Sequence, residues 1–187
     1  MAARLEGKRV LILATNGFEQ SELEVPRDRL TEAGAEVHVA SPEPGVIRGW
    51  DETDWGQAVT VDVALSTVKE AEYDALVLPG GQINPDLLRV NAEALALIKA
   101  FYAAGKPIAA ICHAPWLLIE TGIAKNHRMT SFASIKTDVV NAGGKWEDKA
   151  VVSDGGIITS RNPGDLETFA KTIITEIRDS KHVRTAA

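Results

Sequence analysis

Short unbroken apolar runs recur along this chain, each closed by Gly, Pro, Asp or Ser, and between them lie stretches whose apolar residues return at helical spacing. Five runs read as buried parallel strands: residues 9–14, 36–40, 74–79, 107–112 and 156–160. Three stretches read as helices. Residues 21–33 carry Leu23, Val25, Leu30 and Ala33 and stop at Gly34, a residue suited to a helix C-terminus. Residues 91–104 stop in the same way at Gly105, and residues 165–177 place Leu166, Phe169, Ile173 and Ile177 on one stripe.

Strand–helix alternation of this kind predicts an α/β fold, flavodoxin-like, with a doubly wound, mostly parallel sheet and helices on both faces. Ligands in such sheets sit at the carboxyl ends of the strands. Three segments follow a strand directly: residues 16–22 (Asn-Gly-Phe-Glu-Gln-Ser-Glu), residues 79–86 (Pro-Gly-Gly-Gln-Ile-Asn-Pro-Asp) and residues 112–115 (Cys-His-Ala-Pro). Residues 41–57, rich in Pro, Gly and Trp, read as a loop or hairpin excursion, with Trp50 and Trp55 expected to cover a core edge. No repeat or linker interrupts the pattern. The expectation is one domain over residues 1–187, its core at about 8–178, with a frayed tail after Arg178.

Composition narrows the function class. The 187 residues carry 20 Lys and Arg against 26 Asp and Glu, a net charge of −6. That balance argues against nucleic acid or an anionic membrane as the main partner. No apolar run approaches the ~20 residues of a membrane span, and the charged start of the chain lacks the pattern of a secretory signal. One cysteine cannot form an intramolecular disulfide, so a reducing cytoplasm is the expected compartment.

That cysteine is the strongest chemical signal. A lone cysteine by itself reads as a buried structural residue. Cys112, however, ends a strand, has small residues two before and two after it, and precedes Pro115 at an expected helix start. A nucleophile elbow needs this pattern, because larger side chains would collide in so sharp a turn. Its position predicts a thiol more acidic than the ~8.5 of free cysteine. His113 is a candidate base or imidazolium partner, with a structural histidine as the alternative. Gly80 and Gly81 permit close backbone approach, so the N–H of Gly81 and that of His113 are candidates for an oxyanion hole, against a tight turn without function. Glu22 opens a helix, where a solvated carboxylate is the plain reading. His38 falls inside a strand and His127 and His182 read as superficial; none has metal-ligand spacing, and no metal or organic cofactor is expected.

Together the Asn16–Glu22 segment, Ala75-Leu-Val-Leu-Pro-Gly-Gly81, Ala109-Ala-Ile-Cys-His-Ala-Pro115 and Thr130-Ser131 resemble the PfpI intracellular protease family. That family belongs to the ThiJ/PfpI branch of the class I glutamine amidotransferase-like folds. The resemblance runs from about Lys8 to Ile177. It implies Cys112 as nucleophile, His113 as its partner, and Glu22 as the acid that hydrogen-bonds the sulfur, protonated at neutral pH. Gly81 and the His113 backbone are then the oxyanion donors. Asp86 stands where the family's proteases place an acidic residue that reaches a neighbouring subunit's histidine. Here the residue is Asp rather than the Glu of the archaeal proteases, with about one extra residue after Gly81. The resemblance also implies a homodimer or larger homo-oligomer. Three activities follow from it: a stress-linked cysteine hydrolase acting on peptides, a glutathione-independent glyoxalase or protein deglycase acting on small aldehydes or glycated substrates through Cys112 and Glu22, or a non-enzymatic oxidative-stress sensor or chaperone.

Overall fold

A computed structural model describes residues 5–179. The frayed tail expected after Arg178 and the reading of His182 fall largely or wholly outside those residues. In chain order the strands are β1 (Arg9–Leu13), β2 (Phe18–Glu19), β3 (Glu36–Ser41), β4 (Val46–Asp51), β5 (Asp54–Thr60), β6 (Val63–Ala64), β7 (Ala75–Leu78), β8 (Ile108–Ile111), β9 (Arg128–Met129), β10 (Lys145–Trp146), β11 (Val151–Asp154) and β12 (Ile157–Ser160). The helices are α1 (Gln20–Glu32), α2 (Ile83–Leu88), α3 (Ala92–Ala103), α4 (Pro115–Glu120), α5 (Lys136–Asn141) and α6 (Leu166–Asp179).

Seven strands form the central sheet in the order β11-β12-β8-β7-β1-β3-β6. Every pair is parallel except β11 with β12. Side chains alternate across β1: Leu11 and Leu13 join the core under α3 and α4, whereas Val10 and Ile12 join the core under α1 and α6. Both faces are therefore covered, which is why the parallel strands read as unbroken apolar runs. All five expected strands are present, within a residue or two at each end. The helix ends also follow the sequence: Gly34 and Gly105 take positive φ of 97° and 71°, and the Asn91 side chain accepts the N–H of Ala94 at 2.9 Å.

The excursion at residues 41–57 is a hairpin, β4 with β5, which adds to β2 as a separate three-stranded sheet. Its tryptophans do not cover a core edge. Trp55 is 41% exposed, Trp50 is half-buried, and their rings meet edge to face at 5.6 Å. Three hydrogen bonds and a ladder fasten the hairpin to the body: Gly17 N–H to Arg48 O at 2.8 Å, Arg48 N–H to Asn16 Oδ1 at 2.8 Å, Gln57 N–H to Gln20 Oε1 at 2.7 Å, and the pairing of β2 with β4 at Phe18–Gly49 and Glu19–Trp50. His127 is not superficial either, being held between Tyr102 Oη at 3.0 Å and Asp154 Oδ2 at 3.3 Å. No helix among the described residues is long and apolar enough to cross a membrane.

Candidate active site

The sheet order sets β8, β7 and β1 side by side, and the chain passes to opposite sides of β1 on leaving it and on returning. The segments after these three strands therefore converge at one switch point. Cys112 follows β8, Gly80 and Gly81 follow β7, and Glu22 stands in the first turn of α1, after β1 and β2.

Cys112 occupies a sharp turn with φ +64°, a left-handed value rare for a residue with a side chain. Its N–H donates to Ser160 O at 3.0 Å, its carbonyl accepts Phe132 N–H at 2.8 Å, and Ala114 N–H closes the turn onto Ile111 O at 3.0 Å. The strain is thus held from three sides. Gly80 must lack a side chain, because a Cβ there would lie 2.6 Å from Cys112 Cβ and 2.5 Å from Glu22 Oε2. Gly81 has φ +76°, and a Cβ on it would meet Gly17 O at 2.5 Å.

Cys112 is 6% exposed, His113 4% and Glu22 fully buried. The backbone N–H groups of Gly81 and His113 face the sulfur and favour its thiolate. The Glu22 carboxyl is set against the same sulfur. Its Oε2 accepts Gly80 N–H at 2.9 Å, and its Oε1 is buried without a nitrogen or oxygen partner. Burial first, and then the charge of Glu19, pushes the Glu22 carboxyl up to about 8, so it is largely protonated at neutral pH.

The thiol does not follow its expectation. Burial, and then any charge on Glu22, push it up, against the two backbone donors that pull it down. The helix beyond the elbow is only six residues long, so its dipole adds little. Two negative charges cannot both persist in this space, and the pair carries its proton on Glu22 whenever the sulfur is a thiolate.

His113 Nδ1 lies 3.1 Å from Cys112 Sγ, which makes contact out of mere adjacency in sequence. Burial lowers its pKa, and no neighbouring charge contributes. Its Nε2 meets Ser134 Oγ at 3.2 Å, and its ring stacks on Phe132 with centroids 4.7 Å apart. Asp86 is not part of this assembly in the chain. It lies in the first turn of α2, exposed and without a hydrogen-bond or ion-pair partner among the described residues.

Two residues were missed in the sequence. Ser134 lies in a run of small residues just after Thr130-Ser131, a stretch without periodic pattern. Asn84 is fully buried under the glycine turn, where Oδ1 accepts Thr15 N–H at 2.7 Å and Nδ2 donates to Pro79 O at 2.8 Å and Gly80 O at 3.2 Å. Above Cys112 opens a cavity of about 590 Å³, walled by Trp50, Ile83, Phe132 and Pro163, with Glu19 and Glu52 among its lining carboxylates. Among the described residues no group of three His, Cys, Asp or Glu is placed to hold a metal ion.

Known proteins share this arrangement of chain. Residues 8–176 match the DJ-1/PfpI family. Deglycase TK1284 of Thermococcus kodakarensis is 44% identical over 170 residues, 91% of this chain and 99% of that one. Bacillus subtilis YraA, whose name assigns it provisionally to the cysteine proteases, is 39% identical over 163 residues, 87% of this chain and 94% of its own. The crystal structure of Drosophila melanogaster DJ-1beta superposes with a TM-score of 0.84 at 32% identity, covering 91% of this chain and 90% of that one. The strained cysteine, the glycine turn and the buried glutamate all fall within the matched residues, and the chain belongs to the DJ-1/PfpI family.

Proposed function

We propose that this protein is a cofactor-independent enzyme acting on 2-oxoaldehydes and on their adducts with amines, in the manner of a glyoxalase or deglycase. One observation carries the reading: a fully buried carboxyl, raised to about 8, is held against the nucleophilic sulfur. A peptidase needs no second acid there, whereas moving a proton between two adjacent carbons needs one group that is acid and base in turn.

For an amine adduct, the carbon–nitrogen bond breaks as the hydroxyl proton passes to nitrogen, freeing the amine and restoring the aldehyde. The Cys112 thiolate then adds to the aldehyde carbon, and Glu22 gives its proton to the oxygen, forming a hemithioacetal. Glu22, now a carboxylate, takes the proton from that carbon and returns it to the neighbouring carbon, while the hydroxyl proton on the first carbon passes to the neighbouring oxygen, leaving a thioester of a 2-hydroxy acid. Water attacks the thioester and the thiolate departs; of the two protons water carried, one returns to Glu22 and one leaves with the solvent. Methylglyoxal plus water thereby becomes lactate with no net oxidation. Gly81 and His113 N–H groups hold the negative oxygen in the addition and hydrolysis steps.

Peptide hydrolysis is the second reading, favoured by the 3.1 Å contact of His113 Nδ1 with the sulfur. A substrate comparison decides between them. The wild type is expected to release N-acetylarginine from its methylglyoxal adduct and to leave a fluorogenic peptide intact, with Cys112→Ala inert on both. Peptide cleavage without adduct turnover would overturn the proposal.

A further inference from the structure

His113 is held at four points. Nδ1 faces the Cys112 sulfur at 3.1 Å, Nε2 faces Ser134 Oγ at 3.2 Å, one ring contact is the Phe132 stack at 4.7 Å, and Trp116 packs at 5.2 Å with its plane tilted 61°. The second nitrogen of a catalytic histidine sets what the first can do. An ionised carboxylate there only accepts, so it fixes N–H on that nitrogen and favours the imidazolium. A serine hydroxyl both donates and accepts, so it suits either neutral tautomer equally. No carboxylate takes this position among the described residues. The nearby charges are engaged elsewhere: Asp138 accepts Trp116 Nε1–H at 2.9 Å, Lys136 sits over the Trp146 ring, and Glu22 lies across the sulfur.

We propose that Ser134 is the positioning residue for His113, holding Nε2 while the neutral ring changes tautomer. When Nδ1 takes a proton from the thiol or from water, Nε2 gives one to Ser134 Oγ, whose own proton passes to solvent; the return step reverses each transfer. No standing imidazolium is needed. Amide hydrolysis does need one, to protonate the departing amine, and the hemithioacetal route does not. The consequence for turnover rests on the aldehyde reading, while the assignment of the hydrogen bond does not.

Nitrogen NMR of the histidine rings tests both parts. In the wild type at neutral pH, His113 shows one protonated and one bare nitrogen. Ser134→Ala shifts the Nε2 resonance and lowers kcat on methylglyoxal about 3–10-fold, the share of one neutral hydrogen bond, with KM little changed. Ser134→Thr restores both. Ser134→Asp protonates both nitrogens at neutral pH, and Asp86→Ala moves neither. If Ser134→Ala leaves Nε2 unmoved, or Asp86→Ala shifts it in an oligomer, the assignment fails and a partner's carboxylate takes its place. The resonances need no substrate: a wild type showing these shifts but forming no lactate keeps the role of Ser134 and ends the aldehyde reading.

Discussion

Glu22 Oε2 accepts the backbone N–H of Gly80 at 2.9 Å, so the carboxyl facing the sulfur is anchored to the turn that also supplies the Gly81 N–H. Glu22 and Gly81 are therefore positioned by one link between α1 and the end of β7. A change at either end is felt at both. The link also explains how a carboxyl group can stay buried: one oxygen is satisfied by the backbone, and protonation removes the charge that burial would penalise.

Glu22 makes stability depend on pH. Its pKa is raised from 4.5 to about 8 in the folded protein, so the folded state holds this proton more tightly than the unfolded chain. Its contribution is fully present below about 4.5 and is lost as pH rises towards about 8. Thermal melts from pH 5 to 8 are expected to show the wild type losing stability relative to Glu22→Gln, on the order of a few kcal/mol across the window. Parallel curves for the two proteins would place Glu22 outside a desolvating site.

Gly80→Ala tests the close approach of turn and elbow. The new methyl group would lie 2.6 Å from both Cys112 Cβ and Ile111 O. Overpacking of this kind costs ~1–3 kcal/mol. Urea denaturation should register that loss and turnover should fall with it, whereas a variant of wild-type stability and rate would show that the turn is looser than described.

Asn84→Ala should destabilise the protein without touching the nucleophile. It strands a buried N–H on Thr15 and leaves the Pro79 and Gly80 carbonyls with one donor fewer. Each buried group left unsatisfied costs ~1–3 kcal/mol, so a loss of at least ~2 kcal/mol is expected in denaturant. Asn84→Asp keeps the acceptor for Thr15 and should recover part of it.

Trp50 lines the cavity mouth on the fastened hairpin. Trp50→Ala is expected to raise KM for bulky adducts several-fold with kcat little altered, the mark of lost binding that does not change along the reaction. A fall in kcat alone would place the ring in the chemistry.

The parts legible in the sequence share one property: local pattern alone decides them. Parallel strands buried on both faces leave apolar runs, and Cys112 announces its elbow through small neighbours and Pro115. Other parts depend on tertiary context. Strand β6 has two residues, too few to show alternation. Helix α2 has only six residues, too few to show a helical stripe, and Pro85 sits in its first turn, where its missing N–H costs nothing. Ser134 reaches His113 from 21 residues away in a stretch with no periodicity. The acidity expected of Cys112 rested on its place at a helix start, and burial against Glu22 reverses the direction.

The most direct test of the account is lactate formation from methylglyoxal without glutathione, comparing wild type, Cys112→Ala and Glu22→Gln, each confirmed folded by circular dichroism. The account predicts turnover by the wild type, none by Cys112→Ala, and a loss of roughly 10²–10⁴-fold in Glu22→Gln, which keeps the shape of the side chain but cannot exchange the carbon-bound proton. Wild-type turnover in Glu22→Gln would contradict it.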